Sequence, residues 1–381
     1  MSLALRDLRP VYVVGIGWHP YQHPSETSYV TLGLTAIRAA LADARIEWSQ
    51  VESSYVATAL LGMASGRAML LHLGAFGQPL VHIENASASG SAAFRQACIE
   101  VAAGVSDVVL AVGVDKRAVV QRAYTKTGIG HLADDAIVPF THFALLQDEY
   151  MRRHGVTPED VALVAVKNHR NGARNPNAQR RRERTLQEVL GGKPVSGSLT
   201  SLQCCPVGEG AAAVIVASEP SIRALGIDAS RAIRVVSSAA RSERPGPASD
   251  KDATLTRETI AAALDDAQIA PNEIDVLEVH DAFTIEELLY TEAAGICGEG
   301  ESVHWLKEGA FDIGGRCAVS TSGGLIAMGH PIGPTGVGQV AEITQQLRGE
   351  SGARQHAGAR TGVAHMVGLG SVCYAHVLRR D

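Results

Sequence analysis

Twice in this chain, and far apart, a loop made almost wholly of small residues opens directly into a helical pattern. The first is Asn85-Ala-Ser-Ala-Ser-Gly-Ser, entered from the β-rich run Leu80-Val-His-Ile-Glu and followed by helical spacing from Ala92 to Ala103. The second runs from Ser322-Gly-Gly through Gly329-His-Pro-Ile-Gly-Pro-Thr-Gly into the periodic stretch Val337 to Leu347. Glycine and alanine at such junctions let backbones approach closely, which suits the centre of a duplicated α/β architecture.

The rest of the chain repeats the same logic. Val11-Tyr-Val-Val-Gly-Ile-Gly reads as a strand and Val30 to Ala44 as a helix. The near-continuous apolar runs Asp107 to Val114 and Glu209 to Ala217 read as strands buried on both faces. In the second half Ile233 to Val236 is a strand, Thr254 to Ala267 a helix, and Asp275 to Val279 a strand ending at His280, with a polar loop from Ser242 to Asp252. At 381 residues the chain fits two halves, 1–228 and 229–381. Between about 116 and 203 the alternation lapses into a stretch rich in Arg, Asn, His and Gly, expected as a loop-and-helix excursion over the surface.

Charge and cysteine usage exclude several function classes. A formal net charge of −6 argues against a general nucleic-acid binder, although a local basic patch would still hold an anionic ligand. Six cysteines without a zinc-type CxxC pair and no signal-peptide pattern imply a reducing cytoplasm and no metal in this chain. The longest apolar runs are strand-sized, far short of the roughly 20 residues of a membrane helix.

Three motifs carry chemistry. Ser87 sits in a strand–turn–helix junction, where free amide donors and the positive dipole end stabilise an anion; Ser87, Ser89 and Ser91 read equally well as capping residues. His280, in Glu278-Val-His-Asp-Ala-Phe, stands at a strand end where α/β sheets place ligand contacts, and it reads also as a structural histidine. His330, in Gly329-His-Pro, lies in a loop too specialised for ordinary core and suits a general base or an oxyanion donor.

Together with Ala111-Val-Gly-Val-Asp-Lys and Gly208-Glu-Gly-Ala-Ala-Ala, these motifs in this order resemble the thiolase superfamily over nearly the whole chain. His280-Asp-Ala-Phe resembles its sterol-carrier-type, lipid-transfer-like branch, and Ile83 to Gly90 with Asn168-His-Arg-Asn resembles thiolases of the benzoylsuccinyl-CoA type. The resemblance implies a five-layered αβαβα fold from two similar halves, with the excursion as an inserted loop domain. It implies coenzyme A, as acyl-CoA, for substrate. Arg170, Arg174 and the cluster at 180–184, Arg182 included, are expected at CoA phosphates, and Ser322, Gly323 and Gly324 at the same ligand. By the same carry-over Ser87 occupies the nucleophile position, His330 activates it, and His280 orients a water or the second thioester oxygen. A homodimeric core and a small OB-fold, zinc-ribbon partner subunit are also implied.

The chain departs from the family pattern at two places. Ser87 stands where a thiolase has its nucleophilic cysteine, and Ala282 stands where the sterol-carrier branch has a second one. Cys373, in a C-terminal stretch Gly368 to Ala375 that resembles the site-lining loop, is the candidate to restore an acid/base thiol. Three readings result: a C-acyltransferase acting on a β-ketoacyl-CoA, whose cysteine has been exchanged for serine; a CoA-independent retro-aldol lyase acting on a β-hydroxyacyl-CoA; and a non-catalytic acyl-CoA or lipid carrier.

Overall fold

The computed structural model describes residues 4–117, 139–244, 251–369 and 371–380. Parts of the expected loop domain, of the polar loop at 242–252 and of the C-terminal lining loop therefore lie outside the described residues.

Ten strands form one connected sheet in the order β10-β9-β11-β12-β8-β1-β7-β4-β2-β3. The strands are β1 (Val11–Gln22), β2 (Ser53–Ala57), β3 (Leu80–Ile83), β4 (Val108–Asp115), β7 (Glu209–Ser218), β8 (Ile233–Ser242), β9 (Val276–Glu278), β10 (Ala318–Val319), β11 (Thr361–Gly368) and β12 (Val372–Arg379), while β5 (Pro194–Ser196) and β6 (Leu199–Thr200) make a separate hairpin. The order is a duplication. Each half has an outer parallel trio, β3-β2-β4 or β10-β9-β11, then a strand antiparallel to it, β7 or β12, then its first strand, β1 or β8. Within the sheet, among the described residues, the halves pair where Val11–Val13 meets Ile233–Val235.

Helices complete five layers. Helix α1 (Tyr29–Ala44) covers the outside of the first half-sheet, and α4 (Lys251–Ala267) the outside of the second. Between the half-sheets lie α2 (Ser89–Ala102) and α6 (Ile332–Arg348), which pack on each other and on strands of both halves. Almost every residue of α6 is buried, including the polar stripe Thr335, Gln339, Glu342 and Gln346, so both faces of the helix are covered. Two glycines set the approach: a Cβ on Gly90 would come within 2.6 Å of Gly333 O, and one on Gly113 within 2.3 Å of Pro334 Cα. A side chain at Gly90 would push the first turn of α6 away from α2, and one at Gly113 would push it away from β4.

The excursion departs from its expected place on the surface. Its helix α3 (Pro158–Ala173) begins with Pro158 at the first helical position and a reciprocal cap between Thr157 and Asp160. Its inner face is buried against the second half. The polar residues read as solvated are interior clamps. Asn168 Nδ2 donates to Asp281 Oδ2 (2.6 Å), Asn171 Nδ2 to Ser320 O (3.1 Å) and Asn175 Nδ2 to Ser322 O (2.8 Å). Lys167 pairs with Glu287 at 3.1 Å with both side chains buried. Polarity alone does not separate a solvated face from a buried network whose members satisfy one another.

Among the described residues no helix is long and apolar enough to cross a membrane.

Candidate active site

The first turns of α2 and α6 bring the two small-residue loops together. Ala86 takes a left-handed backbone (φ 49°), and Ser89 Oγ accepts from Asn85 N (2.8 Å) while donating to Ala86 O (2.6 Å). Ser89 is thus the residue that holds the turn. Ser87 is left partly exposed, its Oγ 3.1 Å from His330 Nε2. Ser89 is a turn residue, α2 begins after Ala88 with no side-chain cap, and Ser87 faces a histidine.

The tautomer of His330 follows from its other nitrogen. Thr335 Oγ1 spends its only proton on Pro331 O (2.5 Å), so its 2.9 Å contact with His330 Nδ1 must be accepted from an N–H. Nε2 then carries the lone pair that faces Ser87. Burial, and next the neighbouring His280, hold His330 well below the ordinary histidine range, so it is a neutral base near pH 7. Asp115, at the end of β4, anchors this loop by accepting from Gly333 N (2.6 Å), Thr58 Oγ1 (2.6 Å) and Leu60 N (2.9 Å).

His280 follows β9, and its ring meets that of His330 edge to face at 5.3 Å. Its Nδ1 lies 2.9 Å from Glu286 Oε1, and its Nε2 is buried with no hydrogen-bond partner among the described residues. Glu286 belongs to α5 (Thr284–Ala293) and also accepts from Phe283 N (2.8 Å) and Tyr290 OH (3.2 Å). Behind His280, His365 on β11 contacts Thr256 Oγ1 (3.0 Å); burial pushes its pKa down to about 3, so it is neutral. Glu286, Tyr290, His365 and Thr335 escaped sequence reasoning. Glu286 had a legible signal, since a carboxylate in the first turn after a strand-end histidine can reach back to it.

Three sets of expected residues stand elsewhere. Cys373 shares a strand face with Ala375 and Val377, packed in the outer core with Leu255 and Ile260 of α4. Its neighbours Tyr374 and His376 face inward, to Asn85 and Phe94. Strand alternation therefore turns the thiol toward Thr256 and Thr259, where burial pushes its pKa up to about 12. Cys373 does not supply a thiolate to the Ser87–His330 pair.

Ser322, Gly323 and Gly324 are built into the interior framework. Ser322 donates through N (2.9 Å) and Oγ (2.6 Å) to the buried Glu278, Gly323 packs on the backbone of Gly172, and a Cβ on Gly324 would meet Asp281 Oδ2 at 1.9 Å. Within the 180–184 cluster, Arg180 is structural, donating to Cys204 O (2.9 Å), Ile326 O (3.0 Å) and Ser201 O (3.1 Å). Arg170, Arg174 and Arg182 do reach the surface, in ion pairs with Asp312 (2.5 Å), Glu183 (4.0 Å) and Glu188 (2.8 Å). Exposed pairs of this kind are worth about 0–1 kcal/mol, so a phosphate can displace the carboxylate.

All six cysteines are free thiols. Burial pushes Cys204, Cys205 and Cys317 up to about 12 and Cys297 to about 11, so none of these is a thiolate at neutral pH. The groups poised for chemistry are one hydroxyl and two imidazoles. They can accept a proton from Ser87 and hold one at His280 Nε2, in a site flanked by helix N-termini that favour an oxyanion.

Comparison with known proteins identifies the family of this chain. Residues 13–186 match the thiolase N-terminal domain and residues 239–380 the thiolase C-terminal domain-like family. The benzoylsuccinyl-CoA thiolase subunit BbsB of Thauera aromatica is 34% identical, with 95% of each chain covered. Human sterol carrier protein 2 is also 34% identical, over 95% of this chain and 70% of that protein. Among solved structures, the Ltp2–ChsH2(DUF35) aldolase superposes with a TM-score of 0.82 at 23% identity, over 98% of both chains. Human mitochondrial 3-ketoacyl-CoA thiolase in complex with CoA does so with a TM-score of 0.76 at 20% identity, over 100% of both. With both halves matched and close relatives aligned over nearly its full length, the chain belongs to the thiolase family.

Proposed function

We propose that this protein makes or breaks the bond between Cα and Cβ of a β-ketoacyl-CoA, as a thiolase-like C-acyltransferase with Ser87 as nucleophile. The observation that carries the reading is the 3.1 Å contact from Ser87 Oγ to the unprotonated Nε2 of His330. In the cleavage direction Ser87 attacks the β-keto carbon and its proton passes to His330. Collapse of the tetrahedral alkoxide breaks Cα–Cβ, leaving an acyl ester on Ser87 and the enolate of a shortened acyl-CoA, which is then protonated. The thiol of free CoA attacks the ester and releases the product.

The exposed arginines of the loop domain, Arg170, Arg174 and Arg182, are the groups available for CoA phosphates. A partner subunit is supported by two relatives, one named as a subunit and the other solved as a two-component aldolase. A homodimer is supported by the edge strand β3, where Val81 is exposed near the exposed Phe76 and Leu71.

A second reading, a retro-aldol lyase, draws on the oxygen nucleophile: a hydroxyl is far less acidic than a thiol, which titrates near ~8.5 when free. In a lyase His330 Nε2 would take the proton of a β-hydroxyl, and no acyl-enzyme would form. Mass spectrometry of the protein after incubation with a β-ketoacyl-CoA panel, without free CoA, separates the two. An acyl adduct on the peptide containing Ser87 is expected. Absence of any adduct, together with release of an aldehyde or ketone from β-hydroxyacyl-CoA, would replace the proposal with the lyase; binding without turnover on either panel would leave a carrier.

A further inference from the structure

The thiolase-like reaction needs a group that carries the proton of the acyl-CoA α-carbon, and the structure puts no thiol to that use. Position 282 is alanine, and Cys373 faces the outer core. Cys205, whose backbone N–H donates to Ala282 O (2.7 Å), has its thiol pushed up to about 12.

We propose that His280, oriented by Glu286, is the base that moves this proton, and that Glu286 is the positioning residue that makes it one; the inference rests on the acyl-CoA carbon–carbon chemistry proposed above. Glu286 meets donors at both oxygens: Phe283 N (2.8 Å) at Oε2, and Tyr290 OH (3.2 Å) with His280 Nδ1 (2.9 Å) at Oε1. A carboxylate so placed takes the Nδ1–H of His280, which leaves Nε2 with its lone pair. That atom is the buried one without a partner, on a ring whose side chain is 9% exposed and edge-to-face with His330. The two histidines are thereby unequal. His330 has only the hydroxyl of Thr335 behind it and suits brief receipt of the Ser87 proton, whereas His280 has a full negative charge to balance an imidazolium.

The step is balanced within the site. In the condensation direction Nε2 takes the α-proton, the C–H pair becomes the enolate, and the charge on His280 is offset by Glu286; in the cleavage direction His280 starts protonated at Nε2, gives that proton to the departing enolate carbon and regains one from the thiol of the attacking CoA, while His330 returns its proton to Ser87 Oγ. The other titratable groups around the pair are His330, His365, Tyr290, Cys204, Cys205 and, across the packed helix α4, Asp252. His365 and His330 are neutral near pH 7, and Glu286, whose carboxyl burial pushes above its ordinary range while His280 and the Phe283 N–H oppose that push, is the acidic group in hydrogen-bond contact with His280 among the described residues.

Glutamine at 286 cannot reproduce this arrangement. With its oxygen held by Phe283 N, its NH2 would face His280 Nδ1 and move the ring proton to Nε2, disarming the base. The test is the exchange of acetyl-CoA α-protons in D2O, followed by NMR across a pH series with the full chain. Glu286→Gln is expected to slow exchange at least ~100-fold, with Glu286→Asp recovering part of the rate. If the Gln variant does not fold, Tyr290→Phe carries the test, since stripping one donor from the carboxylate should move the acidic limb of the profile upward. Equal exchange with an unmoved pH profile in these variants, or no exchange by the parent chain, would overturn the inference. Carbon–carbon turnover that survives Glu286→Gln would sink this proposal alone. Exchange by a chain that cleaves no substrate would instead sink the proposed function.

Discussion

Asp115→Asn would test whether the site is held by the contact between β4 and the His330 loop. The carboxylate is fully buried and every polar neighbour it has is a donor: Thr58 Oγ1 (2.6 Å) and Leu60 N (2.9 Å) at Oδ1, Ala59 N (3.0 Å) and Gly333 N (2.6 Å) at Oδ2. Burial pushes this carboxyl above its ordinary range, and these hydrogen bonds offset part of that push. An asparagine must aim its NH2 at one of those donors. Ala59 N also lies 3.2 Å from Oδ1 and the Thr58 hydroxyl can turn to accept, so whichever end it takes at least one donor, Gly333 N or Leu60 N, is left unpaired, and a loss of about 1–3 kcal/mol is expected. Scaled by an unfolding entropy of about 2.1 cal/mol/K per residue, that is a fall in melting temperature of about 1–4 °C, measurable by calorimetry. Because Gly333 lies three residues after His330, turnover should fall with it. An unchanged melting temperature would refute the idea that this carboxylate fixes the loop.

Thr335→Val removes the acceptor that sets the His330 tautomer, so the turnover number should drop roughly 10- to 100-fold with KM nearly unchanged, as steady-state kinetics would report. Arg354→Met leaves Glu342 buried without its partner and beside Glu278, at a cost of about 3–5 kcal/mol; a double variant that also replaces Glu342 with Met should melt higher than the single one. Burial, and next the charge of Glu342, push Glu278 up to about 7 from an ordinary 4.5. Its protonation therefore favours the folded state, fully below pH 4.5, and that contribution is lost as pH rises through about 7. Glu278→Gln should accordingly gain stability relative to the parent between pH 5 and 8 in denaturant titrations, and a constant difference would argue against a protonated Glu278.

Much of the fold was legible because its strands and central helices are written in period and in small residues. The apolar runs at 108–115 and 209–218 are central strands, and the Asn85 and Gly329 loops do meet at the site. What stayed hidden has physical reasons. Cys373 is one residue from side chains that face the inner layer, and no sequence signal sets which face of β12 looks inward. The asparagines of α3 and of the turn after it read as solvent-facing because a buried polar network has the same composition as a wet surface; only the matching acceptors on Asp281, Ser320 and Ser322 distinguish them. The structural bonds of Ser322 and Arg180 were equally illegible, since the resemblance gave these residues only as ligand contacts. Thr335 and Glu286 act on histidines five and six residues away, distances that mean nothing until the local turns are known.

The most direct test of the account is the activity of the parent chain against Ser87→Cys, on β-keto- and β-hydroxyacyl-CoA panels with and without free CoA. A thiol at the same 3.1 Å from His330 Nε2 should ionise far more readily than the hydroxyl and raise CoA-dependent thiolysis by orders of magnitude. A cysteine variant no better than the parent, with a parent that releases aldehyde or ketone without CoA, would contradict it.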